Sequence, residues 1–350
     1  MRRPGRGGVR RRLKRLRGGL RHLADPPGVI LLYHRVARPD MDPWGISVRP
    51  EYFAQQLEVL RRRTRPVPLE ALPQRRRGRA VAVTFDDGYA DNLHQALPLL
   101  EHWGVPATFF VVSGTLGQAR PFWWDELAGL ILQAPALPEQ LRLAGRGEVR
   151  TWLLGDAARE RVCPAWRAET VPDAGPREQL YLDLYWRLRG QSAPDREAEL
   201  RTLRTWAAQV SPGAGEVTVT DPHNRPLTPA ELRLLAAHPL AGIGAHTVTH
   251  PPLGDLDPAA QWTEIRDGRL ALERELGRPV TSFSLPHGSC GEHTAELVRE
   301  AGFLRACTSS GRGVRGGAPA LGLPRFSVGD WSGEEFAARL EHWLGQDSPR

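Results

Sequence analysis

The stretch Ala80-Val81-Ala82-Val83-Thr84-Phe85-Asp86-Asp87-Gly88 runs from a mostly apolar segment directly into two adjacent carboxylates. An earlier apolar segment, Val29–Tyr33, runs into His34 in the same way. Continuous apolar runs of this length predict strands that are buried on both faces, as in a parallel sheet. In parallel β/α folds the reactive groups lie at the carboxyl ends of the strands, so these polar residues are candidates for a site.

Strand-like and helix-like patterns alternate on either side of this stretch. One helix start combines three signals: Thr228 suits the cap, Pro229 the first helical position, and Glu231 completes a capping box. The alternation predicts right-handed β-α-β units and therefore an α/β fold with a parallel sheet or barrel. The predicted strands are 29–33, 80–85, 107–112, 242–245, 282–285, 303–308 and 323–328, and the predicted helices are 50–63, 91–103, 228–238, 260–276, 294–301 and 333–344.

The alternation is interrupted over about 116–230, which we interpret as a mainly helical insertion with helices near 178–188 and 196–210. Trp123 and Trp124 stand near its start. Tryptophan faces pack on sugar rings in many proteins, but two adjacent tryptophans favour the core of the insertion. The expected organisation is a tail at 1–24 and one domain at 25–345 that contains the insertion.

The positive charge of the chain belongs to its first 24 residues, which carry ten basic side chains and no acidic one. Without them the formal net charge of +7 becomes −3, so the remainder offers no basic surface that would favour nucleic acid. Apolar residues recur in the tail at helical spacing between the arginines, which fits peripheral contact with an anionic membrane. Gly18 and Gly19 favour the alternative, a disordered tail.

The rest of the composition points to a cytoplasmic protein without disulfides. The cysteines are Cys163, Cys290 and Cys307, an odd number whose spacings fit no zinc pattern. No apolar run approaches the roughly 20 residues that span a bilayer. The first apolar run after the arginine-rich start is too short for a signal-peptide core.

Two groups of residues carry metal-binding chemistry. Asp86 and Asp87 could form an ordinary turn with Gly88, but adjacent carboxylates at a buried strand end repel each other unless they share a cation or a proton. His246 and His250 follow another predicted strand and are four residues apart, which is a zinc-ligand spacing, although a surface pair would look the same. Together they would form a site of two imidazoles and one carboxylate, with open positions for water and substrate.

Three segments resemble the signature motifs of the polysaccharide deacetylases, the NodB-homology enzymes of carbohydrate esterase family 4. They are Thr84–Tyr89, His246–Pro251 and Phe283–Gly288, and they occur in the family's order. The resemblance extends over about 28–115 and 228–340, and it includes Ala107–Val111 and Leu323–Phe326. It implies a distorted (β/α) barrel.

The resemblance also implies roles for individual residues. Asp86 would be the general base, and Asp87, His246 and His250 would bind one divalent metal ion, with Zn²⁺ favoured by this ligand set. The backbone beside His287, which replaces a common tyrosine, would stabilise the oxyanion. Pro286 and Tyr89 complete the residues expected around the substrate and the oxyanion.

The general acid is the least regular part of the resemblance, because 321–328 lacks the histidine that many relatives place there. A subgroup with a circularly permuted barrel has a Tyr-His segment before the aspartate motif, and Tyr33-His34 resembles it. We therefore expect His34 to protonate the leaving amine, the alternative being a histidine that packs the barrel mouth. Arg325 would orient Asp86, since Ser284 stands where many relatives carry arginine; a structural salt bridge is the alternative.

These residues predict a metal-dependent hydrolase that removes N-acetyl groups from an amino sugar of a glycan and releases acetate. An O-acetyl esterase on an acetylated polysaccharide would use the same chemistry. A catalytically inactive glycan-binding relative is the third alternative, although the complete set of four site residues argues against it. A membrane-bound tail would suit a glycan assembled at the cytoplasmic face of a membrane.

Overall fold

The computed structural model describes residues 28–72, 79–145, 148–169, 174–211, 222–314 and 318–345. The strands are Val29–Tyr33 (β1), Arg35–Val36 (β2), Ser47–Val48 (β3), Arg65–Pro66 (β4), Ala80–Phe85 (β5), Ala107–Val111 (β6), Gln140–Gly145 (β7), Glu148–Leu153 (β8), Ala241–Ala245 (β9), Ser282–Ser284 (β10), Arg305–Cys307 (β11), Leu321–Leu323 (β12) and Phe326–Ser327 (β13). The α-helices are Pro50–Arg63 (α1), Leu97–Trp103 (α2), Trp123–Ala128 (α3), Pro176–Arg189 (α4), Ala193–Ala207 (α5), Pro229–Ala237 (α6), Pro258–Leu276 (α7), Thr294–Glu300 (α8) and Gly333–Gly345 (α9).

A nine-stranded parallel sheet forms the centre of the molecule. Its strands follow the order β12-β11-β10-β9-β6-β5-β1-β13, and β4 pairs with the beginning of β5. The sheet curls into a half-barrel with helices packed around it, so the predicted α/β barrel class is confirmed. Both β1 and β5 are buried along their whole length, as their apolar sequences require.

The segment that contains β12 and β13 joins the two edges of this sheet. β12 pairs with β11 at one edge, whereas β13 pairs with β1 at the other. Pro324 and Arg325 lie between the two strands. The prediction of one continuous strand over 323–328 was therefore wrong, because Pro324 has no N–H for a ladder and the chain changes its partner strand at that point.

Alternation along the central strands separates an outer core from an inner one. Leu31 and Val83 pack in the core that includes the surrounding helices, whereas Ile30 and Ala82 pack in a smaller cluster with Phe110. Since β1 and β5 are in register, with Ile30 opposite Ala82, their inward positions coincide. Continuing this period of two places His34 and Asp86 on the inner face, just beyond the strand ends.

The insertion has its own hydrophobic core, which contains Trp124, Tyr181 and Leu203. Its α4 and α5 correspond to the two helices predicted near 178–188 and 196–210. The antiparallel hairpin of β7 and β8 was not predicted. Leu141, Leu143 and Trp152 are buried on one face of the hairpin, whereas Val149 lies on the other face and is 58% exposed. Because apolar residues stand on both faces, the sequence shows no clear alternation of apolar and polar residues here.

The basic tail at 1–24 lies outside the described residues, so both expectations for it stay predictions. Among the helices that the structure describes, none has the length and apolar character needed to cross a membrane.

Candidate metal centre and active site

The site residues meet because parallel strands end at the same rim of the half-barrel. Asp86 and Asp87 follow β5, His34 follows β1, and His246 follows β9. Hydrogen bonds from the Asp86 amide to the Tyr33 carbonyl (2.9 Å) and from the His246 amide to the Val111 carbonyl (3.0 Å) extend the ladders past the strand ends. The backbone therefore fixes the position of each side chain.

Asp86 is held by a buried ion pair. Arg325 donates to both carboxylate oxygens, with Nη1 2.7 Å from Oδ1 and Nη2 2.7 Å from Oδ2. The Ser284 hydroxyl adds a third hydrogen bond to Oδ2 at 3.0 Å. Burial by itself would raise the pKa of Asp86, but the Arg325 guanidinium and His246 hold it below its usual range. Asp86 is thus an ionised carboxylate in a buried position.

Asp87 has the opposite surroundings. Its Oδ1 lies 3.3 Å from His250 Nε2 and 3.6 Å from His246 Nε2, and this buried oxygen accepts no hydrogen bond within the described part of the chain. Burial and the neighbouring Asp86 carboxylate raise the pKa of Asp87 well above its ordinary value. A buried carboxylate in this position would be stabilised by a positive charge among the three side chains.

The three side chains fit a metal ion. Asp87, His246 and His250 offer ligand atoms that all lie within 4.8 Å of one another, and all three residues are buried. The Nδ1 of His246 lies 2.8 Å from the Ser284 carbonyl, so Nδ1 carries the proton and Nε2 presents its lone pair to the cluster. Two imidazoles and one carboxylate suit zinc and other divalent transition metals.

The loop that carries the two histidines is held in an unusual conformation. Thr247 and His250 in this loop have positive φ angles of 66° and 62°, and Asp87 in the loop after β5 has one of 73°. Non-glycine residues adopt such angles rarely and at a cost of about 1–3 kcal/mol each. Glu264 holds the histidine loop, because its Oε2 accepts from the amides of Val248 and Thr249, each at 2.9 Å. The fold thus stabilises a strained arrangement that brings the three ligand side chains together.

A cavity of about 210 Å³ opens above these residues. Asp86, Asp87, His34 and Arg325 contribute to its wall. Enclosure in the cavity lowers the pKa of His34 to about 4, against the opposing effect of the Asp86 charge. The cavity therefore brings an ionised carboxylate, a neutral imidazole and the candidate metal ligands into one space.

The remaining expected site residues divide into two groups. His287 lines the cavity with its ring 4.7 Å from that of His250, and it adopts a left-handed conformation with φ of 56° after the buried Pro286. Tyr89 is fully buried, where its hydroxyl donates to Asp125 and accepts from Trp124 Nε1, both at 2.7 Å. The structure does not bring Tyr89 to the cavity, because the insertion core encloses it.

Several wall residues were missed in the sequence. Trp44 and Ile46 come from the segment between β2 and β3, and Glu169 and Tyr185 come from the insertion. The ring centroids of Trp44 and Tyr185 are 4.3 Å apart, so the two segments meet directly at the cavity. No local pattern marks such contacts, since the partners are more than a hundred residues apart in the chain.

Comparisons with known proteins agree with this fold. The profile of the polysaccharide deacetylase family matches residues 74–145 and 207–306. YxkH of Bacillus subtilis (strain 168), whose name describes a polysaccharide deacetylase, is 30% identical over 121 residues, which are 34% of this chain and 43% of YxkH. The match therefore spans less than half of the length of that relative.

Two solved structures share the fold. IcaB from Ammonifex degensii is 19% identical, with a TM-score of 0.54 over 90% of this chain and 97% of IcaB. The Streptococcus pyogenes deacetylase PplD, solved in complex with acetate, is 16% identical, with a TM-score of 0.50 over 92% of this chain and 100% of PplD.

The curled parallel sheet and the family match place this protein in the structural class of the deacetylase (β/α) barrels. The chain belongs to the polysaccharide deacetylase family.

Proposed function

We propose that this protein is a metal-dependent N-deacetylase that releases acetate from an N-acetylated amino sugar of a glycan. The observation that carries the proposal is the buried cluster of Asp87, His246 and His250 beside an ionised Asp86 in one cavity. The name of YxkH and the acetate in the PplD structure support an acetylated substrate. The substrate itself is inferred from chemistry.

In this proposal each residue of the cavity has a separate role in the hydrolysis. A divalent cation held by Asp87, His246 and His250 would act as a Lewis acid toward the acetyl carbonyl and make a nearby water more acidic. Asp86 would take the proton from the attacking water, because Arg325 keeps it ionised and oriented. The backbone beside His287 would donate to the developing oxyanion.

His34 would deliver the proton to the leaving amine. It lines the same cavity as Asp86. With a pKa of about 4, His34 is neutral at rest and must receive the proton that it delivers. Asp86 gains a proton from water in the preceding step and is the natural source. Substitution of His34 by alanine should lower kcat strongly while the metal content stays near that of the parent; an unchanged kcat would assign the acid to another residue.

The experiment that tests the function is acetate release from matched N-acetylated and O-acetylated oligosaccharides, followed by mass spectrometry of the products. We expect the product to lose the mass of C₂H₂O at each N-acetyl position that reacts, because hydrogen replaces the acetyl group. Preferential loss from O-acetyl positions would show an esterase. Failure of the zinc-loaded protein to deacetylate either type would show a binding protein.

A pair of variants separates the base from the metal ligands. Asp86→Asn should retain metal and lose turnover, because the amide cannot accept the proton. His246→Ala should lose metal together with turnover. Near-normal activity of Asp86→Asn would exclude Asp86 as the base.

A further inference from the structure

A second groove, of about 550 Å³, shares two wall residues with the cavity, His250 and Trp124. Helix α5 of the insertion supplies another part of its wall, including Arg196. Trp123 and Arg120 also line the groove. A substrate in the cavity would therefore have room to extend into this groove past His250.

Arg196 is the feature of the groove that points to a ligand. The residue is 6% exposed, its Nη2 donates to the Thr249 carbonyl at 3.1 Å, and its guanidinium carbon lies 5.2 Å from the centroid of the Trp123 ring. Within the described ranges, no carboxylate lies within 4.0 Å of it. A guanidinium has five N–H donors, and one carbonyl leaves most of them without an acceptor.

The acidic residues around Arg196 already form ion pairs or hydrogen bonds with other groups. Glu197 lies 2.9 Å from Arg204 and 3.6 Å from Arg120. Glu264, whose charge acts on Arg196, accepts the two amide hydrogen bonds of the histidine loop. Burial lowers the pKa of Arg196 to about 10, although the Glu264 charge acts in the opposite direction. A buried cation without a paired anion is unfavourable, and a planar guanidinium matches carboxylate and phosphate groups.

We propose that the groove is a subsite for an oxyanion substituent of the glycan, a carboxylate or a phosphate, which Arg196 binds while the acetyl group occupies the adjoining cavity. The proposal rests on the proposed function and narrows its substrate class to acidic glycans. Thr249 directly precedes His250, so the anion would bind beside the loop that carries a candidate metal ligand. The insertion would then select the substrate, and the barrel would perform the hydrolysis.

The experiment compares three N-acetylglucosamine oligomers of equal length: a neutral one, one with a carboxylate on a sugar, and one with a phosphate. For the parent protein, kcat/KM should be higher for at least one acidic oligomer than for the neutral one. In Arg196→Gln the ratio of acidic to neutral kcat/KM should fall about 10- to 100-fold, the range expected for a charge-assisted hydrogen bond. Whichever acidic oligomer responds more identifies the anion.

Arg201→Gln is the matched control, because it removes one positive charge from an exposed position of the same helix. Its ratio should equal that of the parent. Equal loss on acidic and neutral oligomers in Arg196→Gln would overturn the proposal and assign Arg196 a structural role. A parent protein without preference for either acidic oligomer would also overturn it.

A binding measurement tests the anion subsite even if the proposed deacetylase activity is not observed. If none of the oligomers is deacetylated, the proposed function fails, and the affinity of the same three oligomers is then measured by calorimetry. Tighter binding of an acidic oligomer to the parent, lost in Arg196→Gln but kept in Arg201→Gln, would still support the subsite. Equal affinities for all three would overturn it.

Discussion

Asp86 and Asp87 are neighbours in the chain, yet their surroundings favour opposite charge states. Arg325 and Ser284 donate three hydrogen bonds to Asp86. Oδ1 of Asp87 instead faces two imidazole nitrogens, and no described residue donates a hydrogen bond to it. The left-handed conformation of Asp87 (φ 73°) accompanies this division. Because of these different surroundings, Asp86 is suited to accept a proton and Asp87 is suited to bind a cation.

Arg325 should matter for both stability and turnover. In Arg325→Met the buried Asp86 loses its paired charge, so we expect the free energy of unfolding to fall by about 3–5 kcal/mol and kcat to fall at least tenfold. Arg325→Lys keeps a charge but loses the two-point contact, so it should recover part of the stability and little of the kcat. Urea unfolding and steady-state kinetics measure both quantities, and a fully active Arg325→Met would contradict the role.

At this scale the sequence could predict residue types but not every contact. The two motifs that contain Asp86, Asp87, His246 and His250 are local patterns, so they were visible without the structure. The hydrogen bond from Ser284 to Asp86 joins residues 198 positions apart, and no local pattern indicates it. The buried state of Arg196 was equally invisible, because it depends on how the insertion packs.

At the scale of elements, β9 must lie close to β6 to deliver His246. Gly244 is on β9 opposite Phe110 of β6. A Cβ at Gly244 would clash with the Phe110 ring and lie 2.9 Å from the Ser282 carbonyl oxygen. The strand thus depends on a residue without a side chain at this position, two residues before a candidate metal ligand.

Gly244→Ala should therefore displace β9. We expect the free energy of unfolding to fall by about 1–3 kcal/mol, as for other overpacked cores, together with weaker zinc binding. Gly322→Ala on β12 is the control, because a Cβ there meets no atom within 4 Å. Denaturant unfolding and a zinc titration measure the two effects, and equal behaviour of the two variants would refute the packing argument.

Helix α6 begins with the predicted capping box, which the structure confirms. The Thr228 hydroxyl accepts from the Glu231 amide, and the Glu231 carboxylate accepts from the Thr228 amide. Thr228→Ala should lower the free energy of unfolding by about 1 kcal/mol, with kcat unchanged because the helix start is not part of the cavity wall. Thr202→Ala, at an exposed position inside α5, should change stability by less than about 0.5 kcal/mol; an equal loss in both variants would argue against the cap.

The bounds of helices and strands were predicted best where the local sequence pattern is clear. The predicted bounds of α1 and β5 match the observed Pro50–Arg63 and Ala80–Phe85. The predicted helix 91–103 begins as a π-helix at Asn92–Ala96, where Asn92 Nδ2 donates to the His34 carbonyl at 2.9 Å. Such a tertiary contact overrides local preference, so the irregular turn could not be read from the sequence.

For the whole molecule, the insertion and the barrel both contribute residues to the wall of the cavity. Trp124 belongs to the core of the insertion and also lines the cavity, with its ring 4.9 Å from that of His250. The sequence predicted an insertion between two halves of the barrel but gave no indication that its residues contact the candidate metal ligands. That contact arises only from the folded arrangement of segments far apart in the chain.

Metal binding should stabilise the whole fold, because the ligands converge only in the folded state. At zinc concentrations about 100 times Kd, the free energy of unfolding should rise by about 2.7 kcal/mol relative to the chelated protein. Calorimetric melting with chelator and after zinc restoration measures this difference. His246→Ala provides the control, since its Tm should not respond to zinc; a similar response in the variant would place the zinc effect elsewhere.

Anomalous X-ray diffraction at the zinc edge, from crystals grown with zinc, tests the central claim most directly. We expect one strong peak within about 2.3 Å of a carboxylate oxygen of Asp87 and of one ring nitrogen each of His246 and His250, with Asp86 still paired to Arg325. A crystal with zinc bound elsewhere, or with no peak among these three side chains, would contradict the claim.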